Sequence, residues 1–345
     1  MSSKKIVRIV IMIAIVVCAV ILLKQEISKR QIKQLTKAGE FFGSYVKVDV
    51  CYAAFEEKKL QKAMDDVWAR FGDIHTRLSV YDAKSDINKI NAAYQAPVKV
   101  QSDTYQLIKD SLEYHRSSFG VFDITLGALI KLWKSKGKEG MMPTSDEIAQ
   151  AKSLVNVQAI ELLSDNQIIL KQEGVKVNID SIGDGFAADE AARILRAQGF
   201  KNFLIDASGE MYAGGENCSG KKWRIGVRDP SDTTKIMEVL EVSNLGVSTS
   251  GSYERFYEID GRKWSHIIDP RSGYPAEGIV SATVVAPSAQ YADFLSTAFC
   301  ILSPQKSFFI VDELGEGYAA TVVLGGPDQN GEKQSSVIYD KYLAK

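Results

Sequence analysis

Apolar positions recur along the chain with two different periods. From Glu57 to Leu78 they fall at Leu60, Met64, Val67, Phe71, Ile74 and Leu78, a spacing that predicts a helix with one apolar face. Asp103 to Phe119 predicts a second helix with Asp103 as its N-cap, and Gly185 to Gln198 a third, closed by Gly199. Ala289 to Leu302 predicts a fourth. Val46 to Phe55 alternates instead and reads as a strand, as do 202–206, 223–228, 237–242, 279–286 and 318–324. Phe256 to Trp264 contains Asp260-Gly261, a hairpin signal. Helices and strands are mixed without a regular βαβ period. The fold class expected is therefore α+β, with mixed or antiparallel sheets and packed helices. No GxGxxG follows a strand and no GxxxxGK[ST] occurs, so neither dinucleotide-binding nor P-loop folds gain support.

The N-terminus has a different pattern. Ile9 to Leu23 is an uninterrupted apolar run. With Ile6 and Val7 it would span roughly 27 Å as a helix, close to a hydrocarbon core of about 30 Å. No small-x-small cleavage site follows at Leu22-Leu23-Lys24-Gln25, which favours an uncleaved membrane anchor over residues 1–23. A cleaved signal peptide and lipoprotein processing at Cys18 are the alternatives. Lysines and arginines flank the run on both sides, so charge does not decide orientation. Residues 24–40 are charged, with Ile27, Ile32 and Leu35 interspersed, and read as a linker helix or stalk before a body at 41–345.

Composition narrows function only by exclusion. The 345 residues are 45% apolar and 25% charged with a net charge of -1, and no basic run is interleaved with aromatics, so nucleic acid is not an expected partner. Four cysteines, Cys18, Cys51, Cys218 and Cys300, form no CxxC pair, and the three outside the apolar run are an odd set that implies no disulfide framework.

Candidate chemistry is scattered in short clusters. The densest is Ser265-His266-Ile267-Ile268-Asp269-Pro270-Arg271-Ser272-Gly273-Tyr274-Pro275, which places a rare histidine at a strand end or simply within a strand. In Ala292-Asp293-Phe294-Leu295-Ser296-Thr297-Ala298, Asp293 and Thr297 lie four apart and share a helix face. A carboxylate and a hydroxyl so placed suit magnesium, which completes its shell with water and substrate phosphate; a cap and a packed threonine is the plainer reading. Val177 to Asp189 runs from a strand through a glycine-bearing turn into a helix. Asp180 and Asp184 would repel a bare phosphate there, a conflict that a magnesium ion removes. Ser208-Gly209-Glu210, Gly120-Val121-Phe122-Asp123 and Arg77 to Asp82, with Tyr81, are unremarkable singly.

In their order, and with Phe42-Gly43-Ser44 and Ser248 to Arg255, these clusters resemble the FAD:protein FMN transferase, or ApbE-like, family over roughly Phe41 to Leu302. The resemblance implies a T-fold-related α+β body, exported or membrane-anchored. It implies cleavage of FAD with Mg2+ and attachment of FMN through a phosphoester to Thr or Ser of a partner, typically a flavoprotein subunit of a membrane redox complex. It further implies a single-pass anchor in the inner membrane with the body on the extracytoplasmic side. Carried over, the metal falls to Gly183, Asp293 and Thr297. FAD falls to Phe42, Gly43, Ser44, Tyr81, Val121, Phe122, Asp123, Asp180, Asp184 and Ile268. His266 falls near the reacting phosphate or the acceptor hydroxyl, with Asp293 the second catalytic residue. The chain departs from a common Gly-Gly-Ile-Ala-Lys-Gly turn, with Asp184 at the lysine position. An FAD pyrophosphatase and a non-catalytic FAD-binding protein are the rival readings.

Overall fold

The computed structural model describes Met12 and residues 31–326 and 329–344. The predicted anchor and residues 24–30 of the linker lie outside that range, apart from Met12. Among the described residues no helix is long and apolar enough to cross a membrane.

Eight strands form the central sheet: β1 (Ile32–Phe41), β2 (Ser44–Ala53), and, after three short strands, β6 (Asn202–Ala207), β7 (Glu210–Gly214), β10 (Leu245–Gly251), β13 (Ile279–Ala286), β14 (Ala319–Gly326) and β15 (Gln329–Ser335). They are hydrogen-bonded in the order β1-β2-β6-β7-β10-β13-β14-β15, antiparallel throughout. The short strands β3 (Val98–Lys99), β4 (Ile160–Leu163) and β5 (Gln167–Leu170) make a separate three-stranded sheet. Two hairpins, β8 (Trp223–Asp229) with β9 (Asp232–Val242) and β11 (Phe256–Ile259) with β12 (Arg262–Ser265), complete the strands. The helices are α1 (Glu57–Leu78), α2 (Asp86–Ala92), α3 (Ser102–Ser117), α4 (Gly127–Glu139), α5 (Ser145–Lys152), α6 (Asp180–Ala197), α7 (Ala289–Phe299) and α8 (Pro304–Leu314).

Alternation along β2 decides which face carries which layer. Val46, Val48 and Val50 are fully buried against α1, α6 and α7, together with Leu60, Phe71, Ala188, Leu195, Phe294 and Leu295. Cys51 points the other way, into a smaller core with Trp223, Ile225, Leu240, Val285 and Tyr339 beneath the β8–β9 hairpin. The α+β expectation holds, and α1 keeps the predicted bounds.

Three expectations are corrected. Residues 32–40, read as part of a linker helix or stalk, form β1, which pairs with β2 along its whole length. As an edge strand it leaves one side to solvent, so its apolar residues are few and the charges between them mimic a stalk. Cys51 and Cys218, 167 residues apart, form a disulfide that ties β2 to the loop before β8, and Cys300 is left as a buried thiol. Asp103 is not the N-cap of α3; Gln101 holds that position, and Asp103 turns its carboxylate to Arg70 and Arg77 on α1.

Candidate functional site

A cavity of about 340 Å³ opens between the N-terminal end of α6, one face of α7 and the β11–β12 hairpin. Each wall is held for a local reason. The helix α6 begins at Asp180, whose N–H donates to Asn178 Oδ1 (2.9 Å), so the segment read as a turn from Asp180 to Asp184 is already helical. The helix α7 is capped twice. Ser288 Oγ accepts from Tyr291 N (3.0 Å), and Asp189 of α6 accepts from both Ala289 N (2.9 Å) and Gln290 N (3.0 Å). A side chain at Gly185 would collide with Ala289 O at 2.7 Å, so glycine there sets how closely the two helices cross.

That crossing brings Asp293 into place. Asp293 is buried (4% exposed), and its Oδ2 accepts from Gly185 N at 3.2 Å. One turn on, Thr297 Oγ1 lies 3.3 Å from Ser250 Oγ, which is 2.8 Å from Ser296 Oγ. Both Asp293 and Thr297 line the cavity, as the i, i+4 spacing predicts. Gly183, the third predicted metal residue, is buried in α6 and is not in the cavity lining, with nothing within 4 Å of where a Cβ would stand.

His266 follows β12 directly. Its Nδ1 lies 2.9 Å from the Arg255 carbonyl. A carbonyl oxygen only accepts, so Nδ1 carries the proton and the neutral ring keeps Nε2 as its lone-pair acceptor; His266 lines the cavity. Burial pulls the imidazole below its ordinary value, partly offset by that carbonyl, so the ring is neutral at neutral pH.

Charge in the cavity is unbalanced. Six carboxylates line it, those of Asp123, Asp180, Asp184, Glu210, Glu254 and Asp293, against the two cations Lys134 and Arg255. Burial, followed by the charge of Asp180, pushes the Asp184 carboxyl up to about 7. Burial, then Glu210 and Asp184, holds Asp293 well above the ordinary carboxylate range. Glu210 is raised by burial and then by Asp184 and Glu254. Carboxylates packed so closely keep their charge only beside a cation. Among the described residues no three acidic, histidine or cysteine side chains already converge on one point. A cation held here therefore draws on hydroxyl, carbonyl, water or substrate oxygens as well, a donor set that fits magnesium. Of the three predicted metal residues, Asp293 and Thr297 line the cavity and could each offer an oxygen to such an ion.

The cavity gathers Tyr81, Val121, Phe122, Asp123, Asp180, Asp184, His266, Ile268, Asp293 and Thr297 from five separate stretches of sequence. Tyr81 is 77% exposed at the mouth, where Lys134 Nζ donates to its hydroxyl (2.7 Å). Asp123 is already engaged by Thr125 N (2.7 Å) and Thr125 Oγ1 (2.5 Å), which marks it as the brace of its loop. Phe42, Gly43 and Ser44 are not in the lining. Phe42 and Gly43 take left-handed conformations at the β1–β2 turn, and Phe42 packs edge-on against Phe71. Residues given no role by the sequence complete the walls: Leu126 at the N-cap of α4, Ile130 and Lys134 within it, and Asn178, Phe256 and Tyr257. Lys134 carries no local signal, since it is one of many lysines on α4. Ser250, Glu254 and Arg255 also line it; they lie in the Ser248 to Arg255 stretch, whose pattern assigns them no individual role.

The ApbE family model matches residues 42–322. The FAD:protein FMN transferase of Salmonella typhimurium is 31% identical over 290 residues, covering 81% of this chain and 80% of the relative. The protein of that name in Treponema pallidum is 30% identical over 302 residues, with 83% of each chain covered. Among solved structures, the ApbE protein of Thermotoga maritima superposes with a TM-score of 0.82 at 28% identity, covering 91% of this chain and all (100%) of that one. The apo flavinyl transferase ApbE of Pseudomonas stutzeri gives 0.79 at 28% identity, covering 90% and 97%. A match over most of its length, a shared fold and relatives at this identity establish that the chain belongs to the ApbE family.

Proposed function

We propose that the chain is a Mg2+-dependent FAD:protein FMN transferase, which cleaves FAD, joins FMN through a phosphoester to a Thr or Ser of a partner flavoprotein and releases AMP. The observation that carries this reading is one cavity holding the Asp293–Thr297 pair and a neutral His266 with Nε2 unprotonated. Relatives named for that activity, aligned over four fifths of the chain, support it.

Asp293, Thr297 and the Gly183 carbonyl would hold Mg2+, which supplies positive charge to the diphosphate of FAD. The chain's own groups do the rest. His266 Nε2 accepts the proton of the acceptor hydroxyl, and the Nδ1–H bond to Arg255 O fixes the ring in the tautomer that can do so. Val121, Phe122 and Ile268, all buried, give the cavity an apolar wall for the flavin. Tyr81 and Lys134 stand at the mouth, where an anionic, aromatic ligand would meet a ring face and an ammonium. Arg255 is the second cation of the lining and would be available to the phosphates of FAD.

The acceptor is taken to be a flavin-carrying subunit of a membrane redox complex. The apolar run at residues 9–23 would anchor the chain in the cytoplasmic membrane, with the body outside the cytoplasm. The Cys51–Cys218 disulfide supports that placement, because such bonds persist in oxidising compartments. The full chain in detergent, given FAD, Mg2+ and an acceptor flavoprotein, tests the proposal. Covalent FMN on the acceptor supports it. Free FMN with AMP would mean a pyrophosphatase, and intact FAD a binding protein.

A further inference from the structure

Four hydroxyls form a connected chain between β10 and α7. Ser248 and Ser250 lie two apart on β10 and so share one face of the strand. Ser296 and Thr297 are neighbours on α7. Ser296 Oγ is 2.8 Å from Ser248 Oγ and 2.8 Å from Ser250 Oγ. It is also 3.0 Å from the carbonyl oxygen of Asp293, one turn earlier. Ser250 Oγ in turn lies 3.3 Å from Thr297 Oγ1. Ser248 and Ser296 are fully buried, whereas Ser250 and Thr297 line the cavity.

Each hydroxyl has one proton to give and two lone pairs to accept with. A carbonyl oxygen only accepts, so Ser296 gives its proton to Asp293 O. Ser248 and Ser250 must then both donate to Ser296 Oγ, which fills its two lone pairs. Ser250 has no proton left, so in its contact with Thr297 the threonine hydroxyl is the donor. No other arrangement makes all of these bonds. It turns the Thr297 proton toward β10 and leaves the Thr297 lone pairs for a ligand in the cavity. A threonine hydroxyl without such a partner rotates to suit its surroundings and can present its proton instead, the end that a cation repels.

We propose that Ser296, acting through Ser250, is a positioning residue that holds the Thr297 hydroxyl in the orientation a divalent cation requires. The proposal rests on the reading of Thr297 as a ligand of Mg2+. Ser296 is not itself in the cavity lining, so it reaches the ion only through its neighbours. It touches both assigned side-chain ligands in this way, Asp293 through the backbone carbonyl and Thr297 through Ser250. Groups that orient metal ligands commonly matter almost as much as the ligands themselves.

Mn2+ alone serves as the probe. The full chain in detergent is titrated with Mn2+, and the affinity is read by electron paramagnetic resonance. Ser296→Ala frees the Ser250 proton, which can then be donated to Thr297 and turn the threonine proton into the cavity. Ser250→Ala removes the acceptor of the Thr297 proton outright. Each should weaken Mn2+ binding at least about 10-fold. Thermal melting without metal identifies the variants that fold. In a Thr297→Ala background neither serine substitution should weaken binding further, whereas a loss due to packing alone would persist there. Unchanged affinity in either folded serine variant, or an undiminished further loss in the Thr297→Ala background, overturns the proposal. Thr297→Ala separates the two claims. If it binds Mn2+ as tightly as the wild type, the ligand reading fails and takes the proposal with it. A loss in Thr297→Ala with none in the serine variants removes the proposal alone.

Discussion

The carboxylate of Asp293 accepts a hydrogen bond from the backbone N–H of Gly185 at 3.2 Å, so the residue assigned to the metal is positioned by the helix that carries Gly183. The two helices are locked a second time by Asp189, which caps α7 from α6. The position of Asp293 and the helix crossing are therefore set by the same contacts.

Gly185→Ala tests that coupling. Its Cβ would lie 2.7 Å from Ala289 O, a backbone atom that cannot rotate away. The helices must separate, at a cost of about 1–3 kcal/mol. Thermal melting should show the loss, and Mn2+ affinity should fall in the same variant. A variant of unchanged stability and affinity would mean that the crossing is not what positions Asp293.

Asp293→Asn should lower FMN transfer at least about 100-fold, the upper end for residues that merely orient ligands. The fold should survive and even gain stability without metal, because one of several mutually repelling carboxylates is removed. FAD binding, followed by flavin fluorescence, should persist in part. Undiminished turnover would remove Asp293 from the metal.

His266→Ala should slow transfer about 10²–10⁴-fold, the usual range for a lost general base. Burial holds the His266 pKa below 6.5, and the base works only when unprotonated. The wild-type rate should therefore fall on the acid side of that lowered value and be flat above it. In the alanine variant this acid limb should vanish. An acid limb that persists belongs to another group.

Asp103 bridges Arg70 and Arg77, which lie two turns apart on α1, and Arg70 also reaches Glu190 on α6 (2.9 Å). These arginines hold the Asp103 carboxyl well below the ordinary range against the opposing effect of burial. A depressed carboxylate contributes stability above its unfolded value of 3.8, and that contribution is lost as pH falls toward the folded value. Asp103→Asn should thus destabilise at neutral pH by roughly 1–3 kcal/mol, discounted for partial exposure. The gap to wild type in urea melts should shrink with acidification. A gap independent of pH would mean that the loss is one of packing.

Reduction of the Cys51–Cys218 bond, which closes a loop of 167 residues, should cost about 2–5 kcal/mol. Equal melting temperatures with and without reductant would show that the bond contributes nothing to the native state.

The sequence was most legible where one residue's role is set by near neighbours. The apolar stripe of α1 gave that helix its true ends, and Asp260-Gly261 gave the β11–β12 turn, with both residues left-handed (φ 52° and 74°). Asp293 and Thr297 share a face because spacing alone requires it. Local pattern failed where a distant partner decides. β1 is a strand only because β2 covers its hydrogen-bonding edge. Cys51 finds Cys218 across the sheet. Phe42 to Ser44 stand in a motif, yet the fold spends them on the β1–β2 turn outside the lining. The charge excess at Glu210 and Asp184 emerges only once three walls meet.

The most direct test of the central claim is mass spectrometry of an acceptor flavoprotein after incubation with the full chain, FAD and Mg2+. One FMN joined through phosphate to a Thr or Ser of the acceptor is expected, with an equal amount of AMP released and neither product formed in the presence of a chelator. An unmodified acceptor beside intact FAD, or transfer that proceeds undiminished with Asp293→Asn, would contradict it.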